Sequence, residues 1–212
     1  MNKLKISVEK TVKYLREISV VVIGVAITLF ASYWISIKNE KRDVALYLNT
    51  LKIELEENIK VLDEVIEYSQ SSVRYANYLN FHDKKSLNRD TIISYAKVFY
   101  SAESFTFKTN AFEMFKTSGI MRFVEDKELL LSIWDVYGSI DELNQYLDMS
   151  YQEKRGDIKK EALSTEFGKL KMKDVPMRYF YTTNIPTEML RMSEETLKQS
   201  KEMVLKLEST KL

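Results

Sequence analysis

Residues 18–37, ISVVVIGVAITLFASYWISI, run for twenty positions without a charged side chain. At about 1.5 Å of helical rise per residue, such a stretch covers the roughly 30 Å hydrocarbon core of a bilayer. It predicts one transmembrane helix over 18–37. A cleaved leader would carry a shorter apolar run and a small-x-small cleavage site, whereas Phe30-Ala31-Ser32 leads straight into the bulky Tyr33-Trp34 pair. Tyr33 and Trp34 fall where an interfacial aromatic belt belongs, and Lys38, Lys41 and Arg42 come next as a water-side anchor.

Residues 1–17 read as a short basic amphipathic segment with Lys3, Lys5, Lys10, Lys13 and Arg16, against Lys38, Lys41, Arg42 and Lys52 beyond the span. The excess favours an inside amino terminus. In a bacterium this implies the inner (cytoplasmic) membrane, with residues 38–212 in the periplasm. Glu17, beside Arg16 at the border of the span, has two readings. It either favours a helix amino terminus and pairs with the arginine, or serves a partner contact or polar pathway. Within the span Gly24, Thr28, Ser32 and Ser36 recur every four residues. Such a strip lets a second helix approach closely, the alternative being incidental small residues that face lipid.

Composition bounds the part of the chain beyond the span. Without the five Lys/Arg and two Asp/Glu of the first 37 residues, 27 basic side chains face 29 acidic ones, a net charge of minus two. That balance excludes the concentrated basic face a nucleic acid requires. The whole chain holds five Gly and two Pro, too few sharp turns for a sandwich or barrel. The expectation is all-α: one amino-terminal transmembrane helix continuing into a long helix, with an extramembrane helical bundle. The absence of Cys fits either side of a membrane.

Helical spacing places a long helix at about 38–80, then helices at about 88–101, 110–118, 126–155 and 187–209. In the first, Leu48, Leu51, Leu55, Asn58 and Leu62 alternate at three- and four-residue steps, the seam of a bundle or coiled coil. Asn58 either sets register by pairing with a counterpart or lies solvated on the flank of a wider stripe. Gly119 suits a left-handed helix stop, Asp126 an N-cap, and Thr187 a cap on the last helix. Leu129, Leu130, Ile133, Trp134, Tyr137, Ile140, Leu143 and Leu147 make a strong inward pattern, in which Gly138 would mark close packing.

Three blocks of the chain resemble a family of bacterial proteins with one amino-terminal span and a helical extramembrane part, known as a domain of unknown function. They are Glu17-Ile18 with Ile23-Gly24 and Trp34; Tyr47-Leu48 through Glu54-Leu55-Glu56-Glu57-Asn58; and Phe112-Glu113, Lys116-Thr117-Ser118-Gly119 with Asp126-Lys127-Glu128-Leu129. Where that family commonly ends its span in Asn-Asn-Trp-Asn, this chain has Ser32-Tyr33-Trp34-Ile35. The resemblance implies the single-span architecture and no assigned activity.

Catalytic patterns do not emerge. With no Cys and His82 as the lone imidazole, neither a thiol nucleophile nor a His/Cys metal site can be assembled, and no glycine-rich phosphate loop occurs. Adjacent carboxylates such as Glu56-Glu57 and Glu194-Glu195 diverge by about 100° on a helix and read as solvated faces. Arg178-Tyr179-Phe180-Tyr181, between Pro176 and Pro186, either docks on its own helices or offers a recognition surface. No cofactor is expected. The expected partners are the lipid bilayer, further copies of the chain in a homo-oligomer, and a membrane or envelope protein. The reading is a non-enzymatic scaffold, sensor or accessory subunit, the alternative an oligomeric effector that alters permeability.

Overall fold

The computed structural model of the protein describes residues 2–82, 88–94, 102–164 and 184–210. Regular structure among these is entirely helical. The elements are α1 (Asn2–Phe81), α2 (Arg89–Ser94), α3 (Asn110–Thr117), a 3₁₀ turn (Ile120–Phe123), α4 (Lys127–Ser164) and α5 (Ile185–Ser209). Contacts divide the chain into two units, one of Met1–Leu46 and one of Tyr47–Lys211.

In the first unit every side chain from Lys13 to Ser36 is exposed. This apolar stretch is long enough to cross a membrane and fits a single-pass membrane protein. Two of its hydroxyls are compatible with lipid because they bond within the helix. Ser19 Oγ donates to the Leu15 carbonyl at 2.7 Å and Thr28 Oγ1 to the Gly24 carbonyl at 2.9 Å.

The second unit is the helical bundle. Glu54 of α1 meets Tyr137 of α4 and, further along both helices, Tyr68 meets Lys154, so α1 and α4 run parallel. Helix α5 runs the other way. Glu208 near its end pairs with Lys52 at 2.7 Å, while Met189 near its start lines the same small cavity as Tyr68 and Lys154. The core takes Leu51, Leu55, Leu62 and Val65 from α1 and Ile133, Ile140 and Leu143 from α4, all fully buried. Each such side chain contributes about 1.5–3 kcal/mol relative to its exposed state.

The helix ends obey local chemistry. Asn88 Oδ1 accepts from the Asp90 and Thr91 amides at 2.8 and 3.3 Å and starts α2, whose expected continuation over 95–101 lies outside the described residues. Asp126 Oδ1 accepts from the Leu129 amide at 2.9 Å, capping α4 as its sequence suggests. Gly119 comes after α3 with φ 73°, in the left-handed region where a side chain is strained.

Four expectations need correction. Helix α4 does not stop near 155 but continues through Gly156 to Ser164, because Asp157–Ser164 contains no proline and several good helix formers. Helix α5 is not capped by Thr187; it starts at Ile185 with Asn184 as N-cap and Pro186 in the first turn, where a missing N–H costs nothing. Trp134 is 44% exposed, its ring set edge-on against Phe112 at 5.2 Å on the rim of the core.

Gly138 does not mark close packing either, since a Cβ there would meet nothing within 4 Å. Gly138→Ala should therefore stabilise the bundle by about 1 kcal/mol through helix propensity alone. A thermal melt of the full chain in micelles should show a rise of about 2–4 °C, and a fall would mean an unseen close approach.

Candidate functional site: a buried polar clamp

Helix α3 begins without a local cap, because the Thr109 side chain makes no capping bond. The amides of its first turn would be orphaned, yet Ala111 and Phe112 are buried. Glu54 of α1 supplies the acceptors. Its Oε2 takes the Ala111 N–H at 2.7 Å and its Oε1 the Phe112 N–H at 3.3 Å and the Tyr137 hydroxyl at 2.7 Å. A carboxylate at a helix amino terminus is also favoured by the helix dipole.

One turn along α1, Asn58 grips segment 102–109. Its Nδ2 donates to the Lys108 carbonyl and its Oδ1 accepts the Lys108 N–H, both at 2.8 Å. Asn58 is fully buried, so it is not a solvated flank residue, and its amide is occupied within its own chain. The Lys108 ammonium meets Glu57 Oε2 at 2.7 Å and holds the Glu57 carboxyl below its ordinary value. Glu57 is thus tied to the clamp, unlike the freely solvated pair read from sequence.

Tyr137 closes the clamp. It stacks on Phe112 with ring centroids 4.2 Å apart, and burial, reinforced by Glu54, raises its pKa so that the phenol remains a donor. The Lys116 ammonium lies 4.8 Å from the Phe112 centroid on the outer side. Further along α1, the Tyr68 hydroxyl bonds to Lys154, whose ammonium sits 4.6 Å from the Tyr68 ring, and to the Glu103 backbone. Lys154 is 1% exposed, and burial raises the Tyr68 pKa.

The other residues singled out by sequence have the surroundings expected of them only in part. Glu17 is exposed. Gly24, Thr28, Ser32 and Ser36 are exposed in the isolated chain, with the Ser36 hydroxyl donating to Glu40 Oε1 at 3.0 Å. Leu48, Leu51, Leu55 and Leu62 are buried within one chain, so that stripe is not open to a second copy. Arg178, Tyr179, Phe180 and Tyr181 lie outside the described residues. His82 is exposed, its Nδ1 2.9 Å from the Tyr78 carbonyl. No group of three or more potential metal ligands occurs among the described residues.

No family model, curated protein or solved structure matches the chain. The site is therefore judged by its geometry. Glu54, Asn58 and Tyr137 direct their polar atoms to backbone groups and to one another, a chemistry of positioning that holds α3 and residues 102–109 against α1 and α4.

Asn58→Leu strands the Lys108 N–H and carbonyl together and should cost about 2 kcal/mol. Chemical denaturation would register it as a lowered midpoint, and an unchanged midpoint would mean that water replaces the amide without loss.

Acid should act through the surface pairs. The Glu57 and Glu188 carboxyls lie below the ordinary 4.5, held there chiefly by hydrogen bonds from Lys108 and Arg191. The folded chain then binds fewer protons than the unfolded one near pH 4, so this stability is complete above about 4.5 and fades as pH falls through the lowered values. Melts between pH 7 and 3 should show the fall, and Glu57→Gln should make it shallower.

Proposed function

We propose that the protein is a non-enzymatic, membrane-anchored scaffold, sensor or accessory subunit that works through protein contacts. The observation behind this reading is helix α1 itself. One continuous helix, Asn2–Phe81, carries an exposed apolar stretch fit for a bilayer and then supplies Leu51, Leu55, Leu62 and the clamp residues Glu54 and Asn58 to the bundle. A helix used in this way anchors a folded domain at a membrane surface. The flank charges favour the bacterial inner membrane with the bundle in the periplasm. The likeness of three sequence blocks to the single-span family supports the same architecture.

Self-association belongs to this reading through the strip Gly24, Thr28, Ser32 and Ser36. Because the Thr28 and Ser36 hydroxyls bond within their own helix, the strip would attract a second copy by close packing at Gly24 more than by interhelical hydroxyl bonds. The permeability-altering effector would need those hydroxyls turned toward a lumen, and their bonding favours the scaffold.

The test uses the absence of cysteine. Single variants Lys60→Cys and Lys198→Cys, both at exposed positions, should react with an impermeant maleimide on intact spheroplasts. Labelling only after lysis would reverse the orientation. Crosslinking in native membranes should recover a discrete partner with ion flux unchanged, whereas flux without a partner would favour the effector. Gly24→Leu with Thr28→Leu should abolish crosslinked copies while insertion persists; an undiminished oligomer would place the contact elsewhere.

A further inference from the structure

We infer that α5 is a releasable helix, leaving α1 and α4 as one intact element while those two stay folded. Three observations on its inner face converge. First, its buried positions are Pro186, Met189, Ser193, Thr196, Ser200, Met203 and Leu207, so hydroxyl side chains hold its middle where α1 and α4 present Leu, Ile and Val. Small hydroxyls bury far less apolar area, and the hydrophobic drive holding α5 is correspondingly weak. Second, the Ser200 hydroxyl and Gln199 Oε1 are buried without a hydrogen-bond partner, so docking strands polar atoms that water satisfies after release. Third, beside the close approach of α4 and α5 lies a groove of about 210 Å³, lined by Gln199, Met203 and Lys206 of α5 and by Ser132, Asp135 and Val136 of α4.

The helix is also built to hold together by itself. Arg191 bridges Glu188 at 2.6 Å and Glu195 at 2.8 Å within α5, pairs that survive its departure. Two of its polar ties to the other helices are at the surface: Lys52 to Glu208 at 2.7 Å and Lys206 to the Ser132 hydroxyl at 3.0 Å. Such contacts weaken with salt. The clamp, in contrast, belongs to α1, α3 and α4, and every polar atom it uses is paired. Release uncovers Val136 and Leu147, which face α5 through Met203 and Met189. Weak docking of α5 holds whichever partner the domain serves.

Amide hydrogen exchange on the full chain in nanodiscs tests it. Peptides from residues 193–207 should exchange together, about tenfold or more faster than those from 51–65 and 133–143. Equal protection in the three helices would overturn the inference. Gln199→Leu with Ser200→Ala removes the stranded acceptors and should slow exchange in α5 alone by about fivefold or more. Equal slowing in all three helices, or none in α5, would show that it opens only when the bundle unfolds.

Discussion

The carboxylate of Glu54 is the interaction on which the bundle's topology rests. Helices α1 and α4 are parallel, so the chain must return along their length between them, and a return segment has backbone groups to satisfy. Within that segment α3 has no cap of its own, and residues 102–109 have no regular structure to pair them. Glu54 accepts two amides at the start of α3 and the hydroxyl of Tyr137, joining three elements in one group of bonds. Asn58, one turn away, satisfies both backbone groups of Lys108. A buried carboxylate is costly unless its lone pairs are met. Here two N–H groups, the dipole of α3 and a phenol meet them, and that requirement fixes where the return segment lies.

Much of this fold is legible in the sequence where apolar spacing carries it. Leu51, Leu55, Leu62, Ile133, Ile140 and Leu143 announce their burial because a 3.6-residue period and a hydrophobic side chain point the same way. Glu54 does not, since it stands in an acidic run, Glu54 to Glu57, that resembles any solvated helix face. Its role depends on an amide 57 residues away, which local spacing cannot register. Asn58 sits at the right position for a register-setting residue, yet its partner is the backbone of Lys108 in the same chain. In α5 apolar spacing registers the burial of Met189, Met203 and Leu207 but not that of Ser193, Thr196 and Ser200, while Leu190, Leu197 and Val204 are only half-buried.

The span poses the converse problem. Its side chains from Ile18 to Ser36 are exposed, and without water the drive that buries leucines in the bundle does not operate between helices in lipid. Thr28 and Ser36 have already satisfied their hydroxyls inside the helix, leaving dispersion at Gly24 and its neighbours as the basis for any contact. Dispersion is short-ranged and depends on close approach, so a large side chain in place of Gly24 is the direct test of the proposed association.

The bundle thus contains two kinds of buried polarity with opposite consequences. Around Glu54 and Asn58 the polar atoms are paired, so separating α1 from α3 or α4 breaks charge-assisted bonds and strands their partners. On α5, the Ser200 hydroxyl and Gln199 Oε1 are stranded while the helix is docked and relieved when it leaves. The first arrangement makes opening expensive and the second makes it cheap, although both put polar groups inside a helical core. Buried polarity therefore does not by itself predict rigidity; its effect depends on which state of the chain satisfies the group. By that criterion the paired cluster of α1, α3 and α4 around Glu54 and Asn58 is the lasting frame, with Ser72 Oγ further along α1 stranded outside it, and α5 is the element whose docking that cluster can best do without.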